Sequence, residues 1–189
     1  ILFTMFEADR LPSEFLAGCE KADALIVPCR HNKLVMMGYF PQKPVGVCPL
    51  GFDPVLHHYE TRHKSGRFRF MWLGAGKAGD YRKGWEVVVR AFQEEFRPHE
   101  SAELYVKTSG TDHEELIQVR EKVYFDGRTL DDASVAELYR RCHCFVFPSR
   151  GEGFGLPPLE AMASGCLVIA PKHTGLSEFI SSATALVLS

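Results

Sequence analysis

A chain of 189 residues, 46% hydrophobic and 24% charged, has the composition of a folded protein and the length for one well-buried core with some excess, so one domain plus a piece of another fits better than two complete domains. Its 22 basic and 24 acidic residues are interspersed, which leaves no basic stripe of the kind that phosphate-backbone binding needs and excludes nucleic acid as a leading partner. The six cysteines sit mostly in apolar runs without C-x-x-C spacing, the pattern of free thiols in a reduced, cytoplasmic compartment, and no run approaches the roughly 18 apolar residues of a membrane span.

The chain opens on Ile1-Leu2-Phe3-Thr4-Met5, with neither a basic leader nor an initiator methionine, and is expected to be cut from something longer. A helical pattern over 14–21, a strand over 24–27, a short helix from about Asn32 and a strand-like 45–49 make one α/β repeat. Leu50-Gly51-Phe52-Asp53-Pro54 then breaks the pattern with turn formers, which places a boundary between residues 1–50 and 51–189. Beyond it, strands at 68–73, 103–107, 123–125, 144–147, 167–170 and 185–188 alternate with helices, the order of a doubly wound, Rossmann-like α/β fold with a parallel sheet. The first of those helices follows Gly84, where Trp85, Val88, Val89, Phe92 and Phe96 recur at the spacing of one buried face before Pro98. The next is expected to begin at Ser134, with Glu137 completing a capping box, and a third near Pro157-Pro158, since proline is tolerated in a first turn.

Gly151-Glu152-Gly153-Phe154-Gly155 falls between a strand and a helix. In an open parallel sheet that is the carboxyl-end crevice where ligands bind, and glycines followed by a helix N-terminus suit a diphosphate. Glu152 in this loop and Glu160, placed in the first turn of the helix, are two carboxylates suited to gripping sugar and ribose hydroxyls. Arg82-Lys83-Gly84 lies on the same sheet edge, where cations can neutralise a diphosphate and steady a departing phosphate. Against these, Gly74-Ala75-Gly76-Lys77-Ala78-Gly79 matches G-x-G-x-x-G and raises an NAD-dependent oxidoreductase as a rival. The helix starts well after the last of those glycines, however, and the next strand ends in Lys107-Thr108 where a ribose-binding acid is wanted, which disfavours it. The histidines lack metal-ligand spacing, Asp131-Asp132 reads as the lead into a helix, and no G-x-S-x-G elbow offers a nucleophile, so neither a metal site nor acyl transfer is expected.

Phe145-Val-Phe-Pro-Ser149, Gly151-Glu-Gly-Phe-Gly-Leu156 and Leu159-Glu-Ala-Met-Ala-Ser-Gly165 together resemble glycosyltransferase family 4, the retaining enzymes of the GT-B fold. That family's E-x7-E element corresponds to Glu152 and Glu160. Arg82-Lys83-Gly84-Trp85 is similar to its basic site, Phe125-Asp126-Gly127 to the strand and turn before its base pocket, and Leu50-Gly51-Phe52-Asp53 to its interdomain linker. The resemblance implies a nucleotide-diphosphate sugar as donor, bound by residues 51–189, with no cofactor and no essential metal. Lys83, with Arg82 or Lys77, would hold the diphosphate beside Gly74, and the amides of Phe154, Gly155 and Leu156 would hold phosphate and sugar. Glu152 would hold the transferred sugar, Glu160 the ribose, and the backbone near Arg128, Thr129 and Leu130 the base. Ala75 stands where many members carry arginine.

Residues 1–50 would be the tail of the acceptor-binding domain, and the family's closing C-terminal helix would lie beyond residue 189. The resemblance further implies transfer with retention by front-side attack, with double displacement through Glu152 as the rival route. The chain as given is then expected to bind donor weakly, to transfer nothing alone and to self-associate through an uncovered apolar face. Other readings are a nucleotide-sugar-binding module without catalysis and a sugar-nucleotide epimerase. Neither the acceptor nor the sugar and base of the donor is legible.

Overall fold

The computed structural model describes residues 1–62, 66–75, 81–109, 117–120 and 122–189. Two sheets organise them. β1 (Leu2–Phe3), β2 (Leu25–Val27) and β3 (Val45–Val47) pair in parallel in that order, with α1 (Ser13–Glu20) and α2 (Arg30–Tyr39) as crossovers. The second sheet holds β4 (Phe68–Ala75), β5 (Ala102–Ser109), β6 (Ile117–Arg120), β7 (Val123–Asp126), β8 (Cys144–Val146), β9 (Leu167–Pro171) and β10 (Leu186–Leu188), in the spatial order β10-β9-β8-β4-β5-β7-β6. Its helices are α3 (Trp85–Glu95), α4 (Asp132–Arg141) and α5 (Leu156–Ala163), with a 3-10 turn at Thr174–Glu178. All its pairings are parallel except β6 on β7, an antiparallel edge.

Helices on a parallel sheet bury both faces of its central strands, so those strands read as apolar runs rather than alternations. Met71 and Trp72 are consecutive in β4 and both fully buried. Phe92 and Phe96, one turn apart at the end of α3, meet Phe70 of β4 at 6.0 and 5.3 Å between ring centroids. On β8, Phe145 takes Tyr139 of α4 edge-on at 5.6 Å. The smaller sheet has its own core of Leu11, Cys19, Leu25, Val27, Met36 and Val45.

Several local expectations shift. Ser134 does not cap α4: the Asp131 carboxylate accepts from the Ser134 amide at 2.8 Å, so the helix starts at Asp132. An anionic side chain at that position satisfies the same amide and favours the positive helix end. Glu137 turns instead to Arg140 and Arg141, at 2.8 and 2.7 Å. α2 begins at Arg30, two residues before expected, capped by the Cys29 thiol. All six cysteines are free, five are buried, and Cys48 is exposed; burial pushes the Cys144 and Cys166 thiols up to about 12 and about 11.

The strand order places the ligand crevice. From β4 the chain moves outward through β5 to β7 on one side, and from β8 outward through β9 to β10 on the other. The carboxyl ends of β4 and β8 therefore flank a topological switch point, where adjacent loops diverge and leave a cleft.

Candidate functional site

One wall of that cleft follows β4. Gly84 caps α3 with φ +70°, and a Cβ there would meet the Pro148 carbonyl oxygen at 2.8 Å. Only glycine permits both the left-handed backbone and this approach, which presses the Arg82-Lys83-Gly84 turn against the segment leaving β8. The Trp72 indole donates to the Lys83 carbonyl at 3.1 Å and fixes the turn from below. Gly74 is buried beside it, in reach of the Trp72 ring and the Lys83 stem.

The other wall is the glycine loop after β8. Lys83 Nζ reaches across and donates to both oxygens of Glu152, at 2.6 and 2.8 Å, with the Phe147 ring 5.3 Å away. The Ser149 hydroxyl donates to Glu152 Oε1 at 2.6 Å, and Arg82 Nη1 stands 3.6 Å from the same oxygen while donating to the Gly151 carbonyl at 2.7 Å. The Glu152 backbone is held as well: its amide donates to Thr174 Oγ1 at 3.0 Å and its carbonyl accepts from the Gly175 amide at 2.9 Å. Only 6% of Glu152 is exposed, so this carboxylate is a charge-assisted, fully partnered group rather than a loose acid.

Gly155 caps α5 with φ +99°. Pro157 and Pro158 in the first turn bring no N–H, and among the described residues none accepts from the Phe154, Gly155 or Leu156 amides. Unpaired amides at a helix start form a ready anion site.

Glu160 lies in the second turn of α5, not the first, so compensation of the helix end does not account for it. Its Oε2 accepts from the Tyr139 hydroxyl at 3.2 Å and its Oε1 faces His57 Nε2 at 3.9 Å.

At the end of β7, the Arg128 side chain turns back on the fully buried Asp126, donating at 2.9 and 2.7 Å, and the Tyr105 hydroxyl donates to the same carboxylate. Burial pushes the Asp126 carboxyl up, but the Arg128 guanidinium and Tyr105 hydroxyl outweigh it and hold the group well below the usual carboxylate range. Lys107, 4% exposed, donates to the carbonyls of Thr108 and Arg128 at 2.6 and 2.5 Å, and burial lowers its ammonium. The Arg128-Thr129-Leu130 backbone thus sits on a rigid polar base. Lys77 and the glycines after Ala75 lie outside the described residues.

The smaller sheet meets this loop. A Cβ on Gly151 would be 2.6 Å from the Glu7 carbonyl oxygen, and one on Gly153 would be 3.1 Å from the Met5 side chain. The Cys29 thiol donates to the Gly153 carbonyl at 3.4 Å, and the Arg30 amide to the Glu178 carboxylate at 3.0 Å.

A family model for the group 1 glycosyl transferases matches residues 67–189, more than half of the chain. The chain belongs to the group 1 glycosyltransferases. Among its relatives is the lipopolysaccharide core biosynthesis mannosyltransferase LpcC of Rhizobium leguminosarum bv. viciae, 36% identical over 158 residues, covering 76% of this chain and 44% of that protein. The serotype-specific mannosyltransferase WbdA of Escherichia coli is 49% identical over 61 residues, 32% of this chain and 7% of that one. Solved structures with the same GT-B fold include sucrose-phosphate synthase of Thermosynechococcus elongatus (TM-score 0.67, 22% identity, covering 85% of this chain and 43% of that one). The pneumococcal O-GlcNAc transferase GtfA in complex with UDP and GlcNAc is another (TM-score 0.70, 19% identity, covering 94% and 36%). The chain spans less than half the length of these proteins.

The structure brings Lys83, Arg82, Glu152 and Gly74 together across the switch point. It adds Trp72, Ser149, Thr174, Tyr139 and His57, to which sequence reasoning gave no role. Ser149 was within reach, because it ends the Phe-Pro-Ser run at the strand's carboxyl edge. The others are isolated side chains whose partners are far off in sequence.

Proposed function

We propose that this glycosyltransferase chain binds a nucleotide-diphosphate sugar in the cleft between the β4 and β8 loops, for transfer of the sugar with retention of configuration. The observation that carries this reading is the Lys83–Glu152 pair spanning the switch point. A diphosphate against the Gly155 and Leu156 amides would draw on Lys83 and Arg82 for charge in place of a metal ion, and Glu152, released in part from Lys83, would accept from sugar hydroxyls. Glu160 would take the ribose, and the Arg128-Thr129-Leu130 backbone the base. Front-side attack, in which the departing phosphate oxygen takes the acceptor's proton, fits better than double displacement. Even with Lys83 turned to the diphosphate, Glu152 Oε1 keeps the Ser149 hydroxyl at 2.6 Å, which blunts the carboxylate as a nucleophile. With mannosyltransferases among the relatives, a mannosyl donor is the first to test.

Calorimetry on the chain with GDP, UDP and the matching nucleosides checks the reading. Lys83→Ala is expected to lose about tenfold or more in affinity for the diphosphate, the scale of one charge-assisted hydrogen bond, and little for the nucleoside. Equal losses for both ligands would remove Lys83 from the diphosphate site. Because positioning both reactants in one closed cleft supplies most of such a rate, and the chain spans less than half of its relatives, binding of donor without multiple turnovers is expected of these 189 residues. Repeated sugar transfer to any acceptor by the chain alone would refute that.

A further inference from the structure

The two oxygens of Glu160 have different neighbours, and one of them is a residue of the segment joining the two sheets. Oε2 accepts from Tyr139, which is fully buried, and Oε1 faces Nε2 of His57, which is 6% exposed. The imidazole lies edge-on against the Tyr139 ring at 5.7 Å and 64°. Its other nitrogen, Nδ1, is buried with no hydrogen-bond partner among the described residues. Leaving that group unsatisfied is costly, and a leucine or phenylalanine would pack against Tyr139 without the cost. What histidine offers here is Nε2, and Nε2 looks at Glu160.

The backbone holds it there. The His57 amide donates to the Asp53 carbonyl at 2.8 Å and the Val55 amide to the Asp53 carboxylate at 2.8 Å, closing a turn. Arg140 of α4, itself paired with Glu137 and Glu60, donates to the Leu56 carbonyl at 2.8 Å. The imidazole is thus anchored to the same helix that carries Tyr139. At 3.9 Å Nε2 stands beyond hydrogen-bond distance of Oε1, so it lies beside the carboxylate without using up its lone pairs.

We propose that His57 is a positioning residue for Glu160. Tyr139 holds one oxygen by a hydrogen bond and the His57 ring backs the other from the buried side, so that the carboxylate, with 23% of its side chain exposed, presents its remaining lone pairs in one orientation to a vicinal diol. That diol is the ribose of the donor nucleotide, and the proposal rests on the reading that Glu160 binds it. Two acceptor sites held at fixed spacing suit adjacent hydroxyls and lose little freedom on binding.

The test compares GDP and UDP with their 2′,3′-dideoxy counterparts by calorimetry on the 189-residue chain and its variants, with melting midpoints confirming that each is folded. His57→Leu is expected to lose about five- to tenfold in affinity for the ribonucleotide and less than about twofold for the dideoxy form, within the range of coupling between touching residues. His57→Gln, which puts an amide N–H near the place of Nε2, is expected to restore affinity to within about twofold of the original. In a Glu160→Gln background, His57→Leu is expected to change nothing further. Equal losses for both sugars, or failure of His57→Gln to restore binding, would make His57 merely structural and overturn the proposal. A Glu160→Gln chain that discriminates while His57→Leu does not leaves the ribose reading standing and removes His57. A Glu160→Gln chain that does not discriminate, or no binding of either nucleotide by the unsubstituted chain, overturns both.

Discussion

Asp126 is the most heavily engaged carboxylate among the described residues, and its consequences can be worked out from charge alone. It is fully buried, accepts from Tyr105 and from the Arg128 side chain and amide, and its carboxyl is held well below the usual range. A group whose folded pKa is depressed contributes stability above its unfolded value, about 4, and that contribution is lost as pH falls through the folded value. Asp126→Asn should therefore destabilise the chain at neutral pH, and the difference from the unsubstituted protein should shrink below about pH 4. Breaking a buried pair costs about 3–5 kcal/mol, but Arg128 is 48% exposed and screened by solvent, so about 2–3 kcal/mol is expected. Urea melts from pH 7 to pH 3 measure it; a pH-independent difference would mean that packing, not charge, is what the substitution removes. The same residues mark the limit of reading single positions from sequence. The placement of Glu152 and Lys83 on one sheet edge was legible because glycines and a strand-to-helix switch locate such an edge without any knowledge of contacts, whereas Gly74 came only from the family resemblance. The Asp126–Arg128 pair and the turn of Glu160 toward Tyr139 and His57 were not, since side-chain direction depends on neighbours that only the assembled sheet supplies.

At the scale of elements, α5 shows how a helix start is set by one backbone conformation. Gly155 has φ +99°, and a Cβ there would come within 2.4 Å of Leu176 Cδ2. Gly155→Ala combines left-handed strain with overpacking, each about 1–3 kcal/mol, and is expected to destabilise by about 2–4 kcal/mol while weakening diphosphate binding at the helix start. Gly18 gives the opposite case: it is exposed in α1 and a Cβ there meets nothing within 4 Å. Gly18→Ala is expected to stabilise by about 0.5–1 kcal/mol. Paired thermal melts decide both, and a neutral Gly155→Ala would show that the loop has another low-energy conformation. Elements themselves were mostly legible. Apolar runs and the α3 periodicity located the central strands and that helix, whereas β1 is a two-residue strand too short to show a pattern. β6 escaped notice because a single antiparallel edge strand breaks the βαβ rhythm from which the others were read. The cap of α4 was misplaced by three residues because Asp131 and Ser134 both carry capping side chains and sequence does not rank them.

For the whole molecule, the question is how the two sheets depend on each other. Among the described residues, the smaller has a core of six buried side chains, against eighteen for the larger, and a core of that size is marginal alone. Its docking uses backbone at close range: the Glu7 carbonyl against Gly151, the Met5 side chain against Gly153, and the Arg30 amide at the start of α2 donating to Glu178. Gly151→Ala isolates this docking, because Gly151 has no positive φ and the three atoms nearest a Cβ there all belong to Glu7, the carbonyl oxygen at 2.6 Å. A backbone oxygen cannot rotate away as a side chain can, so the two units must part slightly or the loop must deform, at a cost of about 1–3 kcal/mol. If the small core relies on docking, that cost falls on it alone. Amides of β2 and α2 should then exchange faster while those of β4 and β5 keep their protection, and unfolding of the variant should show two transitions more clearly separated than those of the parent chain. Hydrogen exchange read by mass spectrometry on both proteins supplies the comparison. Uniform loss of protection across both sheets would show one cooperative unit. Unchanged exchange in β2 and α2 would show that the smaller sheet stands without the larger one, and that the closeness of Glu7 to the glycine loop plays no part in holding the two together.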